Sequence, residues 1–311
     1  MPASAFTADV RAALRLASEP QLLRTLDRLR FIRQHSVGQN PGATPVKRVT
    51  QATGLEIAAH KPYVPGDDLR YVDWNALARL DQRIIKRFQA EREAPLHLVI
   101  DASASMAVPA ADGKFAFAIA LAAGLAYIAL QHGHPARAVV LGGGPADFDV
   151  SPLIRHAGRL PELHAFLGPR TAGGPTRLGE GTAGYLRSTQ LPGTVVVLSD
   201  FLVPASTYER ALDEMRARGY DIAALRIIGP HERDASDLPR RVRLRDAESG
   251  AERDVDLTVA HRQRYAEMVQ NHLEQLARWC IRRGIAYHAA DPGVGLSTCF
   301  LRDLPRAGLL Q

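Results

Sequence analysis

A carboxylate and two hydroxyl groups stand at alternate positions directly after a short apolar run. The run is Leu96–Ile100, and the side chains that follow it are those of Asp101, Ser103 and Ser105. If the run is a buried strand, a loop at its end can turn all three oxygen atoms to the same side. One carboxylate with several hydroxyl groups suits a hard cation such as Mg²⁺, which takes six oxygen ligands and usually keeps some waters. The same pattern also occurs where an aspartate or a serine merely caps a turn.

Two further oxygen-bearing residues follow later in the chain. Thr176 lies in a glycine-rich loop just before a predicted helix, and Asp200 follows the apolar run Thr194–Ser199. Because ligands of parallel α/β sheets bind at the carboxyl ends of the strands, we expect all five side chains to meet there. Only two of the five are charged, so a bound cation would keep Lewis acidity and an open position. A carboxylate of another protein could fill that position.

The order of the elements predicts the sheet that this arrangement needs. From Pro95 onward, short apolar runs alternate with helical segments; four such runs are 96–101, 136–141, 194–200 and 221–227. This alternation favours an α/β domain with a doubly wound, mostly parallel sheet covered by helices on both faces. We place this domain at residues 95–311.

The first 94 residues are assigned to a smaller accessory module with helical and β segments. Five of the six net positive charges fall within the first 95 residues, which hold 15 basic and 10 acidic side chains. A nucleic-acid-binding protein usually has a denser basic stripe, so we do not expect nucleic acid as the partner. Binding through this basic third stays open as an alternative, and such binding would weaken steeply with added salt.

Cysteine content and hydropathy indicate the compartment. Cys280 and Cys299 are too few for a disulfide framework or a zinc site, and the N-terminus does not resemble a signal peptide. The most apolar stretch, Phe115–Leu130, has 16 residues and is rich in alanine, whereas a membrane span needs about 20 mostly apolar residues. We therefore expect a soluble, cytoplasmic protein without membrane insertion, in which this stretch is a buried helix.

The five oxygen-bearing residues resemble a known pattern, the metal-ion-dependent adhesion site of von Willebrand factor A domains. That pattern is Asp-x-Ser-x-Ser, then a threonine, then an aspartate. It matches Asp101, Ser103, Ser105, Thr176 and Asp200. The resemblance implies a von Willebrand factor A-like fold with Mg²⁺ at the site, or Mn²⁺ or Ca²⁺ in its place.

The same resemblance implies a role for each kind of ligand. The serines and the threonine would approach the metal directly or through water, and the aspartates would act largely through water. A protein partner would supply the last acidic oxygen. The chain departs from the pattern after its final aspartate, where many such domains have glycine and this chain has Phe201. The shape of that loop therefore stays open.

A second resemblance extends over nearly the whole chain. The segment 61–79 reads KPYVPGDDLRYVDWNALAR and is similar to the Arg-x-Tyr-x-Pro-Gly-Asp-Asp-x-Arg-x-x-Asp-Trp signature of the domain-of-unknown-function-58 family, with Lys61 where arginine is usual. The segments 86–91, 102–106 and 306–310 also resemble that family. These bacterial proteins are often associated with MoxR-type AAA+ ATPases. The resemblance therefore implies such a partner and a chaperone-like role in assembling or activating protein complexes.

The signature segment mixes acidic, basic and aromatic side chains. Its members are Tyr63, Pro65, Gly66, Asp67, Asp68, Arg70, Asp73, Trp74 and Arg79. Closely spaced opposite charges favour a rigid, hydrogen-bonded turn in which the carboxylates pair with the arginines. In this interpretation the tryptophan packs the segment onto the main domain. A partner-docking surface is the alternative.

These residues together predict a non-enzymatic, Mg²⁺-dependent protein-interaction module. The competing hypothesis is an enzyme, in which Asp101 is the nucleophile of a metal-dependent phosphohydrolase. Such enzymes usually carry a second aspartate two positions later as the acid and base, and Ser103 stands there in this chain. Turnover of simple phosphate esters that is lost in Asp101→Asn would favour the enzyme.

Overall fold

The computed structural model describes residues 9–32, 57–64, 72–80, 82–88, 94–143, 146–189 and 191–311. Two compact units account for the chain. One unit combines residues 1–35 with residues 94–311, and the other unit spans residues 36–93. The smaller unit contains two antiparallel strands with a short helix between them in sequence.

The described helices and strands have the following bounds. The helices are α1 Val10–Ala17, α2 Pro20–Leu26, α3 Trp74–Leu80, α4 Lys114–Gln131, α5 Leu160–Leu167, α6 Leu178–Ser188, α7 Ala205–Ala217, α8 Pro230–Arg233, α9 Val259–Arg282, α10 Leu296–Thr298 and α11 Leu304–Arg306. The strands are β1 Ile57–Pro62, β2 Ile84–Phe88, β3 Leu96–Asp101, β4 Ala136–Leu141, β5 Phe148–Val150, β6 Thr194–Ser199, β7 Asp221–Ile227, β8 Arg241–Arg245, β9 Glu252–Asp256 and β10 Ala286–Ala290.

The larger unit is built on a six-stranded sheet in the order β10-β7-β6-β3-β4-β5. Five strands are parallel, and only β5 pairs antiparallel, with β4 at one edge. The predicted α/β class with a mostly parallel sheet is therefore confirmed. The sequence analysis did not predict β5, because its three residues are too few to show a hydrophobic period.

The central strand β3 is buried on both faces of the sheet. Leu98 and Ile100 pack into the core on the side of α4, whereas Val99 packs into a second core under α6, α7 and α9. This two-sided burial explains why residues 96–100 of β3 are apolar with the single exception of His97. The helices on the two faces close an α/β/α sandwich.

Helix α4 is the core helix of one face and is buried almost all round. A Cβ atom at Gly124 would lie only 2.4 Å from the ring of Phe300, so this glycine allows the C-terminal turn to approach the helix closely. Among the described residues, the segment Ala110–Gln131 alone is long and apolar enough to cross a membrane. Because 94% of its apolar window is buried inside the unit, its composition is that of a core helix.

The first two helices belong to the larger unit, which differs from the predicted division at residue 94. Val10 and Leu14 of α1 and Leu26 of α2 lie in the same apolar cluster as α4. Just beyond α2, Phe31 forms a β-bridge with Leu310 near the C-terminus. The predicted boundary at residue 94 was drawn from the excess of basic residues before it. Charged side chains face the solvent, so their number does not show which core the apolar face of a helix packs against.

The chain order of the strands creates a switch point beside β3. From β3 the chain passes to β4 on one side, and it later returns to β6 on the other side. In parallel sheets the two crossover connections then leave a crevice at the carboxyl ends of the central strands. Asp101 ends β3 and Asp200 directly follows β6, so both carboxylates stand at this crevice.

Candidate functional site

The carboxylate of Asp101 joins the ends of β3 and β6. Its Oδ1 atom accepts a hydrogen bond of 2.9 Å from the backbone N–H of Ser103, and its Oδ2 atom accepts one of 2.6 Å from the hydroxyl of Ser199. The residue is only 1% exposed. Each carboxylate oxygen keeps a second acceptor position for a water or a cation. The carboxylate of Asp101 is therefore held in place by two hydrogen bonds and can still accept further ones.

The two serines of the motif lie side by side. The hydroxyl oxygens of Ser103 and Ser105 are 3.0 Å apart, with Ser103 fully buried and Ser105 half-buried. In an octahedral Mg²⁺ site with bonds of about 2.0 to 2.1 Å, neighbouring ligand oxygens are about 2.9 Å apart. The two hydroxyls are hydrogen-bonded to each other, and their separation is also compatible with one edge of a magnesium octahedron.

The threonine loop is hydrogen-bonded to the serine loop. The backbone N–H of Gly173 donates to the carbonyl of Ala102 at 2.8 Å, and that of Ala104 donates to the carbonyl of Gly174 at 2.9 Å. Thr176 stands on this adjoining loop, and its Oγ1 atom is buried without a hydrogen-bond partner among the described residues. Buried hydroxyls rarely stay unpaired, so this oxygen is an available ligand.

Asp200 lies at the same crevice, but its carboxylate is already engaged. Oδ1 accepts a hydrogen bond of 3.1 Å from the backbone N–H of Leu202. Oδ2 accepts one of 3.0 Å from the ammonium group of Lys114, which also donates to Glu232 at 2.9 Å. Lys114 and Asp200 are each 1% exposed. The structure thus brings together Asp101, Asp200 and the serine pair, with the threonine loop beside them.

The sequence analysis missed Lys114 and Glu232. Lys114 begins α4 and Glu232 lies in α8, so both are distant in sequence from the motif that they complete. A single lysine at the start of an apolar helix was a usable signal, because a lysine is almost never fully buried without a partner.

The residue after Asp200 resolves the question of the loop shape. Phe201 has a φ angle of +53°, which is the left-handed conformation that glycine adopts easily. Its ring is fully buried and packs edge-to-face against Tyr208, and its carbonyl accepts a hydrogen bond of 3.0 Å from Nε2 of His272. The chain therefore makes the turn that a glycine would make, and the buried ring offsets the backbone strain.

Burial and neighbouring charge shape the electrostatics of the site. Burial, with a further contribution from the charge of Asp200, raises the pKa of Asp101 to about 6. Burial also raises the pKa of Glu232, although the Lys114 ammonium opposes this shift. A divalent cation would favour the ionised form of both aspartates. The buried carboxylates of Asp101, Asp200 and Glu232 would thus be stabilised in their charged form by a bound cation.

The signature segment is described only in part. Pro65, Gly66, Asp67, Asp68 and Arg70 lie outside the described residues.

The structure describes the other named members of the segment. Asp73 accepts a hydrogen bond of 3.1 Å from the backbone N–H of Ala76 and so caps the start of α3. Tyr63 is half-buried, and Trp74 and Arg79 are exposed. The packing of the tryptophan onto the main domain stays a prediction.

Comparison with known proteins places the chain among uncharacterized relatives. It is 29% identical over 234 residues to the uncharacterized proteins Rv1480 of Mycobacterium tuberculosis and Mb1516 of Mycobacterium bovis, and the match covers 72% of this chain and 71% of each relative.

Two solved structures show a weaker likeness. The conserved hypothetical protein BatB of Bacteroides thetaiotaomicron has a TM-score of 0.34 and 14% identity, over 64% of this chain and 90% of that chain. The pilus adhesin SpaC of Lactobacillus rhamnosus GG has the same TM-score and identity, over 45% of this chain and 25% of that chain. Scores this low do not establish a shared fold.

A family model gives the firmest comparison. The model described as "Protein of unknown function DUF58" matches residues 59–275, which is well over half of the chain. The match includes the whole signature segment and all five oxygen-bearing residues of the candidate site. The chain therefore belongs to the DUF58 family, as its signature segment predicted.

Proposed function

We propose that the protein is a non-enzymatic, Mg²⁺-dependent protein-interaction module with a von Willebrand factor A-like domain. In this proposal Asp101, Ser103, Ser105, Thr176 and Asp200 hold the metal ion, and an acidic side chain of a partner protein completes its coordination. Mn²⁺ or Ca²⁺ could take the place of Mg²⁺. The single observation that carries the proposal is the buried, unpaired Oγ1 atom of Thr176 on the loop that is hydrogen-bonded to the serine loop.

The hydrogen bonds divide the five side chains into two groups. The carboxylates of Asp101 and Asp200 already accept two hydrogen bonds each, which favours contact with the metal through water. The hydroxyls of Ser103 and Ser105 have octahedral spacing, and that of Thr176 is free to bind. Three neutral hydroxyls would therefore contact the ion directly.

The charge balance supports a divalent ion at the site. The buried carboxylates of this region are those of Asp101, Asp112, Asp200 and Glu232, and the buried cations are Lys114 and Arg226. Their formal sum is two negative charges, which one divalent ion would neutralise. A carboxylate of a partner protein would then fill the open coordination position of that ion.

The motif itself argues against the phosphohydrolase alternative. A nucleophilic Asp101 would need an acid and base two positions later, and the hydroxyl of Ser103 in that position lies against Ser105. A serine hydroxyl has no useful acidity or basicity near neutral pH, so it cannot serve as a general acid or base. We therefore propose binding and not turnover.

The partner is proposed from the family resemblance. The signature segment at residues 61–79 resembles proteins associated with MoxR-type AAA+ ATPases, and we propose such an ATPase as the partner in assembling or activating protein complexes. The protein would work in the cytoplasm.

Affinity capture from a bacterial lysate tests this function. The wild-type protein should retain the MoxR-type ATPase of the same cell in Mg²⁺ and lose it when a chelator is added. Asp101→Ala should lose the ATPase in both conditions, whereas Asp213→Ala, which removes a surface carboxylate paired with Arg283, should behave as wild type. Equal recovery with all three proteins, with and without the chelator, would contradict the proposal.

A further inference from the structure

A second group of potential metal ligands lies at the edge strand β10, two strands away from β6 in the sheet. His288 is in β10, and Cys299 and Asp303 are the first and last residues of the π-helical turn that follows α10. One ligating atom from each side chain lies within 4.8 Å of the others, and no other group of His, Cys, Asp or Glu among the described residues is as compact. Turns of π-helix are rare and occur frequently at functional sites.

The hydrogen-bond inventory leaves one atom of this group unexplained. Nε2 of His288 is buried and has no hydrogen-bond partner among the described residues. The Oδ2 atom of Asp303 lies 3.8 Å away, which is too far for a hydrogen bond. A buried polar atom without a partner is costly, and an imidazole nitrogen is the commonest metal ligand. A cation bound between the two atoms would satisfy both.

The spacing of the group fits a small tetrahedral ion. Bonds of about 2.0 to 2.3 Å at tetrahedral angles place neighbouring ligand atoms about 3.3 to 3.8 Å apart. The distance of 3.8 Å between the atoms of His288 and Asp303 is at the upper end of this range. Small side-chain rotations would bring the Cys299 sulfur to the same spacing.

The surroundings hold one of the ligands, Asp303, in position. Nε and Nη2 of Arg302 donate to the two oxygens of Asp303 at 2.6 and 3.2 Å, and ligating carboxylates in metal sites are commonly held by such outer hydrogen bonds. Cys299 is 1% exposed, whereas the side chain of His288 is 23% exposed. Solvent thus reaches part of the imidazole ring although Nε2 itself is buried, and a bound ion would need a water as its fourth ligand.

We propose that His288, Cys299 and Asp303 form a site for a divalent transition metal of the zinc type. A thiolate, an imidazole and a carboxylate are the donors that Zn²⁺ and Co²⁺ prefer, whereas Mg²⁺ prefers oxygen donors only. The site is therefore chemically distinct from the crevice at β3 and does not depend on it. A bound ion would clamp the C-terminal turn onto β10.

This assignment revises the expectation that two cysteines are too few for a zinc site. That expectation considered sites built mainly from cysteine. The fold supplies His288 and Asp303 to a single thiol, and their positions beside Cys299 follow from the packing of β10 against the C-terminal turn.

Titration of the reduced, full-length protein with Co²⁺ tests the assignment. A cobalt–thiolate bond gives an intense charge-transfer absorption in the near ultraviolet, which oxygen and nitrogen ligands do not give. The chain has only two cysteines, so the other buried thiol provides a matched control. We expect one equivalent of Co²⁺ to produce the band in wild type and in Cys280→Ala, and we expect no band in Cys299→Ala.

Two further variants keep the test decisive if Cys299→Ala does not fold. His288→Ala alters the exposed edge of the site and should weaken Co²⁺ binding at least tenfold. Asp101→Ala should keep the band, because it alters only the crevice at β3. Absence of the band in wild type, its persistence in folded Cys299→Ala, or unchanged affinity in His288→Ala would each overturn the proposal and leave the function proposed above untouched.

Discussion

The ammonium nitrogen of Lys114 lies 3.0 Å from Oδ2 of Asp200 and 2.9 Å from Oε2 of Glu232. One buried lysine thereby joins the start of α4, the end of β6 and the helix α8. Such an ion pair adds little net stability, because removing the charges from water costs about as much as their attraction returns. Its geometry, however, fixes where the carboxylate of Asp200 points.

Removal of this lysine charge should destabilise the protein strongly. Lys114→Met leaves two carboxylates buried without their cation, which costs about 3 to 5 kcal/mol of unfolding free energy. Adding Glu232→Gln to that variant should recover part of the loss, because one of the two unpaired charges is then removed. Urea denaturation of the single and double variants measures both effects. A loss below about 1 kcal/mol in Lys114→Met would mean that the lysine is not needed to compensate these charges.

The strained turn at Phe201 predicts an unusual order of two substitutions. Phe201→Ala loses the buried ring and keeps a side chain at a φ angle of +53°, whereas Phe201→Gly loses the ring but removes the strain. Losing a buried phenylalanine costs about 3 to 5 kcal/mol, and the left-handed conformation costs about 1 to 2 kcal/mol for a non-glycine residue. We expect Phe201→Gly to be the more stable variant by about 1 kcal/mol in denaturant unfolding. The reverse order would show that the turn relaxes in the alanine variant.

A close approach at Gly229 links the loop before α4 to α8. A Cβ atom there would lie 2.1 Å from the carboxylate of Asp112, whose oxygens accept from the backbone N–H groups of His231 and Glu232 at 3.3 Å each. Gly229→Ala should therefore displace this cap and lower stability by about 1 to 3 kcal/mol. Gly158→Ala is the control, because a Cβ atom at that glycine meets nothing within 4 Å. Equal melting temperatures for the two variants would contradict the close approach.

The buried histidine of β3 makes stability depend on pH. Nδ1 of His97 accepts a hydrogen bond from the hydroxyl of Tyr185, and Nε2 donates to the carbonyl of Leu191 at 3.1 Å. Burial, with a smaller contribution from the charge of Arg137, lowers the pKa of His97 from 6.5 to about 4. The unfolded chain thus binds a proton at a higher pH than the folded chain does.

This histidine should stabilise the fold fully above pH 6.5 and progressively less as the pH falls towards 4. The contribution lost over that window is about 3 kcal/mol. The unfolding free energy of wild type relative to that of His97→Gln should therefore fall as the pH is lowered from 7 to 4, because the contribution of Asp101 is the same in both proteins and cancels in the difference. Parallel curves for the two proteins would show that another group is responsible.

The elements that the sequence predicted best are those with two buried faces. β3, β4, β6 and β7 are mostly apolar runs with isolated polar residues such as His97, Arg137 and Arg226, and the helices between them begin or end within a few residues of glycines or polar caps. The site residues could be predicted because Asp101 and Asp200 stand at the ends of such strands. The two lie together because β3 and β6 are neighbours in the sheet, an order that the sequence did not predict.

The features that the sequence could not predict depend on contacts between distant residues. Lys114 forms ion pairs with Asp200 and Glu232, which are 86 and 118 residues away in sequence. Contacts at such sequence separations produce no local pattern from which they could be predicted. The N-terminal helices were assigned to the wrong unit because their charge was counted and the partner of their apolar face was unknown. Phe201 could not be assigned a left-handed φ angle, since only its buried environment holds it there.

The most direct test of the metal site is the affinity for Mg²⁺ of two valine variants. Thr176→Val and Thr182→Val each remove a buried hydroxyl that lacks a hydrogen-bond partner among the described residues, with almost no change in shape. Only the first of these residues lies on the loop that is hydrogen-bonded to the serine loop; the second lies in α6. Titration calorimetry with Mg²⁺ should show affinity at least tenfold weaker in Thr176→Val and unchanged in Thr182→Val. The same affinity for wild type and Thr176→Val would contradict the proposed magnesium site.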